Sequence, residues 1–374
     1  MPASATLITQ ANNIMAGRNT AQMLTFLTTT PVQPPSGGVA GLNVDAKART
    51  TTGANLGNVD YARIKLVYPI DRVAFIKFVG DPLFPDTLSF HVKYGHELKT
   101  AASRNGYIPV WFLPWDSKRV LKLKIEDYAA PTLQPYGTTP APVPGVDPLP
   151  NPSIFFTAAI NGCSVFAIGD TRTPSMYHGG ITGSLEKQMP TAAFNALGGA
   201  SEEVWRSLVE GAYFDNAGGV TPKTAAQHKH GNFKAARHAH FGEVNRSDYV
   251  AERTVTGDVL SRGTLTDGSP KLTTSKAIEL EKKLGKKSGI TEAEVSPWGA
   301  VFGLRDSTGS WSFYLVKNAT ISYKRYRWEK LGLIPYARTK DANTTYNVIN
   351  LGFLQFFPGA GQTHYRAFNI KSIV

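Results

Sequence analysis

From Tyr61 onward the chain is a succession of short β-prone runs, separated by Pro and Gly, that follow one another more often than they alternate with helical stretches. Arg63 to Leu66, Arg72 to Val79 and Leu88 to Tyr94 come first. Trp298 to Leu304, Trp311 to Val316, Thr320 to Trp328 and Val348 to Phe357 close the chain. Between them Leu121, Leu123 and Ile125 alternate with Lys122, Lys124 and Glu126, the pattern of a strand with one buried and one charged face. Consecutive strands with few intervening helices predict an α+β fold: antiparallel or mixed β-sheets in a sandwich-like core, flanked by a few helices. The 374 residues, 42% of them hydrophobic, suffice for a sizeable core.

Eight prolines fall between Pro131 and Pro152, a density that excludes helix interior and central strand. The segment 131–152 reads as a linker or loop and divides a β-rich part, 61–130, from a second domain, 153–374. Residues 1–60 are poor in charge and rich in Thr, Ala, Asn and Gln, and they read as a flexible leader. Ser201 opens a helix with Val204, Trp205, Leu208, Val209, Ala212 and Tyr213 on one face. The polar, basic stretch Lys223 to Lys287 reads as surface, with a short helix around Lys276 to Leu284.

Forty Lys and Arg against twenty-eight Asp and Glu give a net charge of +12, which favours acidic partners. No apolar run is long enough to span a bilayer, so no membrane insertion is expected. The lone cysteine, Cys163, excludes an internal disulfide and suits a reducing compartment.

That cysteine lies in Thr157 to Gly169, two apolar runs joined through Asn161-Gly162, and a third run from Ser175 carries His178 back fifteen residues after the thiol. If the second and third runs pair as a hairpin, His178 returns beside Cys163. A thiol attacks a carbonyl only as thiolate, so it needs such an imidazole as its base. Gly162 removes bulk beside the sulfur, which lets backbone N–H groups at Cys163 or Ser164 meet a developing oxyanion. The structural alternative is equally concrete: free cysteines are commonly small buried hydrophobes, and Tyr177-His178-Gly179-Gly180 suits a surface turn.

The order Thr157, Gly162-Cys163, strand, His178 resembles the active-site segment of the Cys-His glutamine deamidase superfamily: the cytotoxic necrotizing factor catalytic domain, Burkholderia lethal factor and the chemotaxis receptor deamidase. The resemblance covers about twenty-five of the 374 residues. It implies a catalytic Cys163 and His178, with Thr157 helping to hold the imidazole. It also implies hydrolysis of a glutamine side-chain amide on a host protein with an accessible Gln, without cofactor, by a secreted or injected bacterial effector acting in the host cytosol. Asn161 stands where toxin members often carry Ser. Transglutamination or peptide cleavage by the same pair stays open. A papain-type nucleophile, however, opens a long helix, and Val165 to Ile168 is too short and β-prone for one. A non-enzymatic β-rich binding or structural protein is the reading from another class.

Two further patterns carry less. His228, His230, His238 and His240 form two His-X-His pairs, but Lys229, Lys234 and Arg237 put positive charge among them, so no metal site is assigned. Tyr323-Lys324-Arg325-Tyr326-Arg327-Trp328 interleaves basic and aromatic residues as nucleic-acid platforms do, yet an ordinary exposed strand explains it more cheaply. Gly359 to Gly361 lacks the lysine and helix of a phosphate loop.

Overall fold

The fold is taken from a computed structural model that describes residues 5–35, 61–63, 73–81, 84, 86–94, 97–115, 119–125, 132–133, 149–180, 191–196, 199–214, 240–250, 290–331, 334–359 and 363–365. The chain is α+β, with antiparallel and mixed sheets and few helices, as the run of strand patterns predicts.

The strands in chain order are β1 (Val32–Gln33), β2 (Tyr61–Arg63), β3 (Val73–Gly80), β4 (Leu88–Tyr94), β5 (Ile108–Leu113), β6 (Arg119–Lys124), β7 (Thr132–Leu133) and β8 (Leu149–Pro150). They continue with β9 (Ile154–Thr157), β10 (Ser164–Ile168), β11 (Ser175–Gly180), β12 (Phe241–Val244), β13 (Ile290–Arg305), β14 (Trp311–Leu331), β15 (Ile334–Phe357) and β16 (Thr363–Tyr365). The larger sheet runs β1-β4-β3-β5-β9-β13-β14-β15-β16, and the smaller one β12-β10-β11-β6-β2.

The two sheets share one core, and side-chain alternation shows how. Leu121, Leu123, Val165, Ala167 and Met176 of β6, β10 and β11, with Cys163 just ahead of β10, join the same hydrophobic core as Trp111, Leu113, Phe155 and Phe156 of the larger sheet. The residues between them, Phe166, Ile168 and Tyr177, are also buried but lie outside that core, on the opposite face. Beyond the short α3 (Thr191–Ala196), a longer helix, α4 (Ser201–Phe214), covers that face: a Cβ placed on Gly179 would come within 2.8 Å of the Trp205 ring. With both faces covered, β10 and β11 read as continuous apolar runs rather than alternating ones. Glu202 and Glu203 occupy the first turn of α4, where carboxylates complement the helix dipole, and Val204, Trp205 and Val209 are buried as its apolar face predicts.

Three sequence expectations fail. Residues within the expected flexible leader form α1 (Ala5–Gly17) and α2 (Thr20–Thr29), whose Ala11, Met15, Met23, Phe26 and Leu27 enter the core. Asn19 caps α2 by accepting from the Gln22 N–H at 3.1 Å, and Asn350 of β15 donates to the Thr28 carbonyl at 2.9 Å. Apolar residues so thinly spread among Thr, Asn and Gln signal a helix only once a sheet is there to receive them. The Pro-rich segment is also no domain boundary, because both sheets contain strands from either side of it: β5 pairs in parallel with β9, and β6 pairs with β11. Finally, part of the stretch expected as surface is interior. Phe241–Val244 extends the smaller sheet beside β10, and a short helix, α5 (Arg246–Val250), carries the buried Tyr249. The expected helix at 276–284 lies outside the described residues.

Candidate functional site

β10 and β11 form the expected hairpin, with Ser164 opposite Gly179 and Val165 opposite His178. One step further back along this register, Cys163 stands across from Gly180. A Cβ added to Gly180 would come 2.8 Å from the Cys163 Sγ and 3.5 Å from the Trp115 ring. His178 lies two residues from Gly180 on the same strand face, so thiol and imidazole are diagonal neighbours, at a Cα spacing of about 7 Å. The topology therefore brings the two residues together.

What surrounds them decides their chemistry. They lie on the face that meets the larger sheet; Cys163 is 7% exposed and His178 is fully buried. Burial pushes the Cys163 thiol up to about 11, against a weaker opposing hydrogen bond from the Asn161 backbone. The same desolvation pushes the His178 imidazole down to about 3, although the backbone of Pro114 and Leu113 favours its charged form. Those backbone groups do not complete a hydrogen bond: neither ring nitrogen has a partner among the described residues. At neutral pH the pair is thus a thiol beside a neutral ring.

The backbone around the thiol is engaged as well. Gly162, at φ +103°, occupies a conformation that L side chains rarely adopt, which is the local reason for glycine there. Its N–H donates to the Tyr249 Oη at 2.7 Å, and the Tyr249 hydroxyl donates to the Cys163 carbonyl at 2.8 Å. One phenol so locks both sides of the turn that precedes β10, and burial pushes its own ionisation up. Ser164 is buried on the face covered by α4, opposite Gly179. Thr157 belongs to β9 in the other sheet, and its hydroxyl donates to the Ala158 carbonyl at 2.8 Å rather than to the imidazole.

Tyr249, Trp115 and Gly180 complete the surroundings of Cys163, and none was singled out from sequence. Tyr249 is 86 residues away with no motif to announce it. Gly180 was visible, but as part of a turn; it is instead a buried strand residue whose missing side chain accommodates the sulfur.

Of the four clustered histidines only His240 is described. Its Nδ1 lies 3.1 Å from the Pro358 carbonyl and its ring packs on Phe357; His228, His230 and His238 fall outside the described residues. A surface cleft of about 180 Å³ opens elsewhere, lined by Met15, Arg18, Tyr107 and Ile154 among others. No described helix is long and apolar enough to cross a membrane.

No protein-family model matches this chain, and no curated protein does.

Proposed function

We propose that this chain is a non-enzymatic, β-rich binding or structural protein in which Cys163 and His178 are core residues. The observation that carries the reading is the sealing of the pair between the two sheets, with the thiol held up at about 11 and the imidazole held down at about 3. Both shifts disfavour moving the thiol proton to the ring within this packing, which removes the advantage a catalytic base supplies. The engagement of Gly162 by Tyr249 and of the Thr157 hydroxyl by Ala158 adds support, since groups that would serve an oxyanion or orient an imidazole are spent on local structure.

A cysteine-dependent glutamine deamidase, as a secreted or injected effector acting in a host cytosol, is the second reading. The shared strand face of Cys163 and His178 favours it. It requires an opening that frees the sulfur and lowers its pKa.

Alkylation separates the two. Iodoacetamide at neutral pH is expected to label Cys163 in the folded protein about a hundredfold more slowly than in the unfolded chain, because a buried, protonated thiol is a poor nucleophile. Rapid labelling of the folded chain would overturn the proposal. So would a gain of about one dalton in a glutamine-bearing protein that Cys163→Ser abolishes, the mass change of amide hydrolysis.

A further inference from the structure

Strands β5 and β9 pair in parallel, with Trp111 opposite Phe155, Phe112 opposite Phe156 and Leu113 opposite Thr157. Two residues before Trp111 stands Pro109, which has no N–H with which to extend that ladder. There Pro109 and Ser153 line the surface cleft of about 180 Å³ instead of pairing with each other. The end of α1, a helix that packs on β3 and β5, contributes Met15 and Arg18 to the same lining. A cavity of about 150 Å³ holds benzene, so this cleft suits a ligand of about six to nine non-hydrogen atoms.

The lining has two chemical parts. Met15, Ile108 and Ile154 are buried core residues and make it apolar. Tyr107 and Ser153, both half-buried, bring hydroxyl groups, and among the described residues that line the cleft Arg18 carries the charge. Lys93 adds positive charge nearby, with its Nζ 5.9 Å from the centre of the Tyr107 ring. Arg18 follows α1 at φ +52°, a left-handed conformation that disfavours L side chains, and its N–H closes the helix on the Met15 carbonyl at 3.3 Å. Glycine usually takes such a position, yet here Gly17 stands one residue earlier and a cation occupies the left-handed site. Part of the reason is local, since a cation complements the negative carbonyl end of a helix. That carbonyl end would by itself repel an anion from the cleft, and Arg18 reverses the sign. Arg104, three residues before Tyr107, is by contrast spent on structure: its guanidinium donates to the Leu98 and Lys99 carbonyls, each at 2.8 Å.

We infer that this cleft binds a small monocarboxylate with an apolar body, the carboxylate held by Arg18 and the body lying against Met15, Ile108 and Ile154. Apolar walls with a few polar groups that fix orientation are the usual make-up of small-molecule sites. A guanidinium matches a carboxylate in shape as well as in charge. One lining cation beside apolar walls selects a monoanion over a phosphate ester, whose greater charge calls for more donors. The inference goes beyond the proposed function and does not involve Cys163.

Isothermal titration calorimetry of the full-length protein with isocaproate tests it, with isocaproamide as the neutral probe of the same shape. Isocaproate is expected to bind with a Kd of about 0.1–1 mM, the range open to a ligand of about eight non-hydrogen atoms, and the amide about tenfold or more weakly. Arg18→Gly removes the charge and leaves a residue at ease at φ +52°, so the variant should melt at or above the parental midpoint. It should lose about tenfold or more in affinity for isocaproate, the loss of a charge-assisted contact, and keep the parent's weak affinity for the amide. In the protein labelled at its methionine methyl groups, the Met15 resonance should shift on titration with the calorimetric affinity while that of Met176, across the core in β11, stays in place. Cys163→Ser should bind as the parent does, which separates failure here from failure of the function proposed above. Four results would each overturn the inference: no saturable binding of isocaproate up to about 10 mM, equal binding of the amide, parental affinity in Arg18→Gly, or a Met15 resonance that does not move.

Discussion

The hairpin that carries Cys163 and the ribbon formed by β13, β14 and β15 are both antiparallel β-structure, yet they are held by different forces. In β10 and β11 every residue is buried, five in one strand and six in the other. Their stability is that of the apolar layers above and below them. At its base the ribbon is buried in the same way, with Phe313 enclosed by Phe155, Trp311, Phe356 and Phe357. Further along, Thr345 and Tyr346 are exposed, and register is set by backbone pairing and three irregularities along β14 after Phe313 and Tyr314. Burial on both faces makes a poor place for chemistry that needs a charged thiolate.

The largest expected effect lies where the two regions share a core. Phe313→Ala should cost about 3–5 kcal/mol, because it removes a fully buried ring from a cluster of four others. Chemical denaturation measures it, and a loss below about 1 kcal/mol would mean that the ribbon base does not depend on this packing.

Gly180→Ala tests the packing at the sulfur. The new methyl would sit 2.8 Å from Sγ, and a loss of roughly 1–3 kcal/mol is expected from overpacking. Combining it with Cys163→Ala, which removes the sulfur, should recover a good part of that loss. A double-mutant cycle showing simple additivity would remove the sulfur as the cause.

pH sharpens the comparison further. The His178 ring titrates near 6.5 in the unfolded chain and is held down to about 3 in the fold. The unfolded state therefore binds the extra proton between those values. The contribution is fully present above pH 6.5 and is lost as pH falls toward 3, at roughly 1.4 kcal/mol per pH unit. His178→Leu should abolish this part of the acid sensitivity and leave stability at neutral pH unchanged or improved, since it replaces two unpartnered buried nitrogens by carbon. If parent and variant show the same acid profile, the ring is not buried in its neutral form.

The smallest effect belongs to the ribbon. Tyr346 is half-exposed and meets Phe84 edge-on, with centroids 5.8 Å apart. Tyr346→Ala should cost about 0.5–1.5 kcal/mol in the same denaturation experiment. A cost as large as that of Phe313→Ala would show that the ribbon beyond its base is packed like the body.

Much of the strand content was written locally. The alternation of Leu121, Leu123 and Ile125 with lysines marks β6 and names its inner face, and Ser164 to Ile168 with Ser175 to Ile181 marks a hairpin through its apolar runs and intervening polar turn. The helical face of α4 was equally legible. Side-chain period is a local property, so a single sequence displays it. The proximity of Cys163 and His178 was legible for the same reason, because a short hairpin return fixes register within a few residues.

Tertiary structure alone decided what that proximity means. Solvation depends on the layers above and below a strand, and here those layers are β5 and β9 from elsewhere in the chain and Tyr249 from 86 residues on. It likewise drew α1 and α2 into the core and joined the segments flanking the prolines into common sheets. Residue types set which groups can ionise, pair or pack. The dielectric around each group, and so its protonation and reactivity, is set by distant segments whose arrival no local pattern encodes.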